Sequence, residues 1–275
     1  MLRLLLICMA VVVLAAPVSP APALKLSATT VKQGGALEVT VTGALPGTPR
    51  VRFAGRTWPM YRAGDVWRTY VAADATTKSG RYSLNVEAGG RAIATRVITV
   101  GRVTFAIRRL RVPPGSFAPE KVAEERRKVG AALRVLAPQQ LWEGAFILPT
   151  VAAPVSSPYG VLSIYNGVIR GFHRGTDFAA PVGTPVKAAN HGIVRLADFL
   201  PLSGNAVLVD HGLGVISLYL HMSALNVNPG ARLQKGDVLG YVGGTGVATG
   251  PHLHWGLRSS GTYVDPLPWT TNDAR

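Results

Sequence analysis

Apolar and polar residues alternate in short runs through most of this chain, and such runs predict strands. Ala36-Leu37-Glu38-Val39-Thr40-Val41-Thr42 alternates cleanly before Gly43 and Pro46-Gly47. Residues 50–54 alternate basic and apolar, 81–86 precede the turn Gly89-Gly90, and 92–100 alternate again. Short strands at regular spacing predict a small antiparallel sandwich, an immunoglobulin-like β-sandwich over residues 24–101. Residues 103–112 read as one more strand, broken by Pro113-Pro114-Gly115. Residues 119–136 then give one helix. Pro119 suits its first turn, Glu120 its N-terminus, and Val122, Val129, Leu133 and Leu136 fall on one face. The charged run Glu124-Glu125-Arg126-Arg127-Lys128 reads as its solvated face.

From Pro149 the pattern changes. Apolar runs at 186–189, 192–196, 206–210, 215–220 and 238–242 are separated by turns, among them Lys235-Gly236-Asp237. Asn166-Gly167 is a hairpin signal within 164–169. No long helix is expected here. The chain is therefore mainly β: a sandwich at 24–101, a connector with one helix at 102–148, a compact antiparallel β domain at 149–270, and a tail at 271–275. The first region carries no histidine and reads as a spacer or binding module.

Composition narrows the setting. The chain of 275 residues is 48% hydrophobic and 16% charged, which favours folding over disorder. Met1-Leu2-Arg3, an apolar stretch from Leu4 to Ala16 and the small-x-small site Ala21-Pro22-Ala23 read as a signal peptide over 1–23. The apolar stretch is short for a bilayer span, so cleavage near Leu24 is expected, leaving no transmembrane segment. The single cysteine, Cys8, lies in that segment, so no disulfide is expected. The expected location is secreted, periplasmic or elsewhere in the cell envelope. A net charge of +15 favours anionic partners. Anionic cell-wall polymers fit that setting. Nucleic acid does not, because the basic residues are scattered without interleaved aromatics.

The chemistry lies in three short pieces. Thr249-Gly250-Pro251-His252-Leu253-His254-Trp255-Gly256 holds two histidines that share one face if the segment is a strand. His173-Arg174-Gly175-Thr176-Asp177 adds an imidazole and a carboxylate, and Leu218-Tyr219-Leu220-His221 ends an apolar run on a third histidine. Imidazoles are costly to bury without partners. Four histidines and one aspartate are enough for a zinc site with an open position and catalytic helpers. His191 and His211 read as structural or surface residues, Asp210 as a partner of its neighbour, and Tyr219 and Trp255 as packing. Asn205 and Tyr165 are candidates to touch substrate.

These motifs, in this order, resemble the M23 family of zinc endopeptidases, the LytM and lysostaphin type. The frame is similar too: Ser157-Pro158-Tyr159-Gly160 before the first motif, Ala179-Ala180-Pro181-Val182-Gly183-Thr184-Pro185-Val186 after it, and Leu233-Gln234-Lys235-Gly236-Asp237 before Gly250-Pro251-His252-Leu253-His254. The resemblance covers about residues 149–268. Gly64-Asp65-Val66-Trp67 and Ser79-Gly80-Arg81-Tyr82 more loosely resemble a β module that precedes some members. The family resemblance implies one zinc ion per chain, bound by His173, Asp177 and His254, with His221 and His252 off the metal as catalytic residues. It also implies a LytM-type β fold and cleavage of peptide stems or crosslinks in peptidoglycan. Two other readings compete: a catalytically silent domain of this type that binds peptidoglycan or activates another hydrolase, and an adhesin for anionic polymers.

Overall fold

A computed structural model describes residues 21–150 and 153–271. The expected signal segment falls outside them up to residue 20, as does the tail beyond Thr271. Among the described residues the chain is mainly β with one α-helix, and no helix there is long and apolar enough to cross a membrane.

Two sheets build the N-terminal region. One orders Ala23–Leu26, Ala36–Thr42, Val66–Ala72 and Tyr61–Ala63; the other orders Thr30–Lys32, Arg91–Gly101, Gly80–Ala88, Arg50–Phe53 and Arg56–Pro59. Alternation sorts the side chains: Leu37, Val39 and Val41 are buried from the first sheet, Val51, Phe53, Leu84 and Val86 from the second. They join one apolar core. One pair departs from the antiparallel expectation, Thr30–Lys32 running parallel to Arg91–Gly101.

The C-terminal region is organised by a sheet ordered Val155–Ser157, Thr176–Phe178, Leu253–Ser259, Val215–Met222, Gly204–Gly212, Gly192–Leu200 and Arg232–Leu233. Thr262–Val264 pairs beside Leu253–Ser259, and every pair in this sheet is antiparallel. The expected hairpin forms from Leu162–Tyr165 and Val168–Phe172. Asn166 and Gly167 both take positive φ, the conformation that Asn-Gly tolerates in a tight turn. Beside it runs the connector strand Ile107–Leu110, parallel to Leu162–Tyr165 and shorter than the 103–112 expected.

The helix spans Pro119–Ala132, not the full 119–136. Leu133 leaves helical geometry, and Leu133 and Leu136 pack with Val129 on Leu196, Leu200, Leu208 and Leu218. The expected solvated face holds for Glu124, Arg126 and Arg127, which are exposed, but Glu125 and Lys128 are partly covered and make contacts. Glu125 accepts hydrogen bonds from Leu202 N, Ser203 N and Ser203 Oγ, and Lys128 pairs with Asp198 at 2.8 Å. The helix is thus tied to the end of Gly192–Leu200 and the turn after it.

The N-terminal region is more than a spacer. Its core is continuous with that of the C-terminal sheet. Tyr159 Oη accepts from Ala75 N and donates to Tyr263 O, Asp265 N donates to Gly34 O, and Arg56 Nη1 donates to Thr262 Oγ1. Tyr70 meets the rings of Trp142 and Trp269.

Candidate metal centre

Strand register assembles the site. In the antiparallel pair of Thr176–Phe178 with Leu253–Ser259, Asp177 stands opposite His254, and His254 stands opposite Leu220 on its other side. His221 follows Leu220 near the strand end, and His173 lies in the loop four residues before Asp177. Side chains distant in sequence therefore share one end of the sheet.

Three ligand atoms converge. His173 Nε2 lies 2.9 Å and His254 Nδ1 2.8 Å from Asp177 Oδ1, and the two imidazole nitrogens are 3.0 Å apart. All three residues are buried, and together they could hold a metal ion. A tetrahedral ion with bonds of about 2.0–2.1 Å needs ligand atoms about 3.4 Å apart, so a small opening of this triangle fits one. The donor chemistry fits as well: His173 Nδ1 is engaged with Pro158 O at 2.9 Å, which leaves Nε2 unprotonated and free to ligate. Burial pushes the Asp177 carboxyl up, but hydrogen bonds with His173 and His254 outweigh it and hold the group well below the usual carboxylate range. Burial pushes His254 down, against the pull of Asp177.

The other two histidines stand beside this triangle. His221 and His252 have ring centroids 4.8 Å apart, and His252 Nε2 is 3.9 Å from Asp177 Oδ1. His252 and His254 do face the same side, as alternation requires, although the strand itself starts at Leu253 and His252 is held by a bridge to Gly243. Each of the two flanking rings has Nδ1 on a backbone carbonyl, His221 on Thr245 O at 2.9 Å and His252 on Gly250 O at 2.8 Å. In the neutral form both therefore turn an Nε2 lone pair toward the groove. Loss of water, then the neighbouring His252 and His254, hold the His221 imidazole down to about 3. His221 also sits at φ 64°, an uncommon backbone conformation for a non-glycine residue, with its N–H on Ser203 O. Glu125 anchors that Ser203 from the helix.

A groove runs across the site in two lobes. One, of about 510 Å³, is lined by Ile107, Arg108, Ser157, Asp177, Pro251 and His252 among others. The other, of about 210 Å³, is lined by Phe117, Tyr165, His173, His221, His252 and His254 among others. Tyr165 thus reaches the groove as expected. Asn205 does not line it; its amide donates to Met222 O and Ser223 O. His211 is fully buried between His191 O and Ser217 Oγ, and His191 is partly exposed. Asp210 pairs across the sheet with Arg195 at 2.7 Å, not with an adjacent residue. Tyr219 and Trp255 are buried packing, as expected. Arg108, Phe117 and Thr245 were not legible as site residues; nothing in their local spacing marks them.

A buried His-Asp-His triangle at the end of an antiparallel sheet, with two further imidazoles over an open groove, defines a metallopeptidase-type centre. The profile of peptidase family M23 matches residues 171–266. A solved structure described as a putative peptidase M23 from Pseudomonas aeruginosa is 30% identical, with a TM-score of 0.65, over 88% of this chain and 95% of that one. The chain belongs to peptidase family M23. It is also similar to the DD-carboxypeptidase/endopeptidase Mpg of Neisseria meningitidis, 40% identical over 131 residues, 46% of this chain and 29% of that protein. The peptidoglycan DD-endopeptidase ShyC of Vibrio cholerae is 43% identical over 94 residues, 34% of this chain and 22% of that protein. The chain thus spans less than a third of the length of these curated relatives.

Proposed function

We propose that this chain is a zinc-dependent endopeptidase that hydrolyses peptide bonds in the stems or crosslinks of bacterial peptidoglycan. The observation that carries the reading is the convergence of His173 Nε2, Asp177 Oδ1 and His254 Nδ1 within 3.0 Å of one another, beneath an open groove. In this reading those three hold one zinc ion, and His221 and His252 are catalytic. Zinc supplies an acidified water near pH 7 and a Lewis acid for the scissile carbonyl.

The chain's own residues do the rest. His221 and His252 line the groove beside the triangle, each with Nε2 left free by its Nδ1 contact, and would stand next to such a water and carbonyl. A neutral ring there accepts the proton of the attacking water, and a protonated ring donates to the oxyanion or the leaving amine. Tyr165 and Phe117 wall the smaller lobe, and Ile107, Ser157 and Pro251 the larger, so an extended peptide crosses between hairpin and sheet. The relatives named as peptidoglycan endopeptidases support the substrate class and a place in the cell envelope. The net charge of +15 supports attraction to anionic cell-wall polymers. The two sheets over 24–101 support an immunoglobulin-like module, with 102–148 as connector and 149–270 as the peptidase domain.

Zinc analysis together with digestion of purified peptidoglycan tests this. The expected result is about one zinc per chain and released fragments whose masses give the cleaved bond, with zinc and product both lost in His254→Ala. Bound zinc without fragments would instead favour a silent peptidoglycan-binding domain.

A further inference from the structure

Asp177 uses only one of its oxygens in the His173–His254 triangle. The other, Oδ2, is 3.2 Å from Nη1 of Arg108. Arg108 comes from the connector strand Ile107–Leu110, well outside residues 171–266. Its own aim is fixed twice more: Nη1 donates to Ser157 Oγ at 2.7 Å and Nε to Ser163 Oγ at 2.9 Å. Ser163 is its register partner in the parallel pair, so strand pairing sets where the guanidinium points. Ser157 stands opposite Asp177 in the sheet and lies 3.3 Å from His173 Nδ1. Arg108 is thus the fork of a network that touches two corners of the triangle, and its side chain is largely covered, at 24% exposure.

We propose that Arg108 is a positioning residue for the metal centre, delivered by the connector: it holds Asp177 Oδ2 so that Oδ1 alone faces His173 and His254. The proposal rests on the metal-site reading above. A carboxylate free to rotate can offer either oxygen or both to a metal ion. A guanidinium on Oδ2 removes that freedom and fixes one-oxygen ligation. Arginine suits this because its planar fork reaches the carboxylate and both serine hydroxyls at once, which a lysine ammonium does not. Outer partners of this kind govern the affinity and geometry of a metal site. The connector strand is therefore part of the centre, and the register of Ile107–Leu110 on the hairpin sets the ligand geometry.

The test uses the full chain and metal itself. Zinc affinity is measured by competition with a chromophoric chelator, and visible spectra are recorded for the Co(II)-loaded chain. Arg108→Met is expected to lower zinc affinity about 10–100-fold. It should also weaken the strong visible bands of four-coordinate Co(II), as the released carboxylate binds through two oxygens. Arg108→Lys, which keeps the charge, should fall between. If Arg108→Met does not fold, Ser163→Ala reads the same device, with a smaller loss in the same direction. Unchanged affinity with an unchanged Co(II) spectrum would overturn the proposal. So would a rise in affinity, which would make Arg108 a competitor of the metal. Asp177→Ala separates the two levels: if it binds zinc as tightly as the parent chain, the metal-site reading itself fails, whereas zinc loss in Asp177→Ala with no change in Arg108→Met rejects the role of Arg108 alone.

Discussion

Nε2 of His221 and Nε2 of His252 share the same wiring, each ring pinned through Nδ1 to a carbonyl. Neither belongs to the His173–Asp177–His254 triangle. Replacing either by alanine is therefore expected to keep zinc bound while kcat/KM on peptidoglycan fragments falls about 10²–10⁴-fold. Zinc stoichiometry and rates on the same samples check this; loss of metal in either variant would count against it. A second residue-scale prediction concerns His211, far from the groove. Its Nδ1 faces His191 O at 2.6 Å and its Nε2 faces Ser217 Oγ at 2.7 Å, and Ser217 continues to Tyr219 Oη. Burial pushes the His211 imidazole down to about 4. The unfolded chain then binds more protons than the folded one between about pH 6.5 and 4. Stability must fall on acidification through that window, by about 3 kcal/mol from this group. Melting temperatures of the parent and His211→Asn across the same acid range test the sign. The variant should start lower and lose less; parallel curves would exclude His211 as the cause.

Elements were legible where alternation meets a turn signal. Ala36–Thr42 and the hairpin at Asn166-Gly167 formed as read, because side-chain period and positive-φ residues are local properties. The strand Ile107–Leu110 was placed roughly, but its parallel pairing, and with it the aim of Arg108, was not legible: pairing partners leave no mark in the strand's own sequence. The helix ran short for a similar reason. Leu133 and Leu136 keep helical spacing, yet they pack on Leu196 and Leu208 from outside the helix. The hairpin carries its own prediction. Asn166 ties its tip to the connector, accepting from Val112 N and donating to Val112 O, while Tyr165 faces the groove. Shortening the tip across 165–168 should change which peptide fragments are cleaved while zinc stays bound. Fragment masses and metal analysis read the two effects separately, and either zinc loss or an unchanged fragment pattern would refute the assignment.

Across the whole molecule, the order of the three metal-site motifs was readable, since each carries its chemistry in a few adjacent residues. The seating of the N-terminal region on the peptidase region was not. Tyr70, Arg56 and Ala75 read like any other strand and turn residues until their partners Trp142, Thr262 and Tyr159 are placed. Tyr159 is the centre of that seam. Its ring packs against Phe105 from the connector, and its hydroxyl joins Ala75 N of the first region to Tyr263 O of the second. Burial pushes this phenol up, so it stays a neutral donor at any working pH. Tyr159→Phe strands a buried N–H and a carbonyl, at a cost of about 1–3 kcal/mol. In a chain of this size that lowers Tm by roughly 2–12 °C. Because one apolar core runs through both regions, the loss should appear as a shift of a single calorimetric transition. Two transitions, with only one displaced by Tyr159→Phe, would mean that the regions unfold independently and that the seam does not couple them.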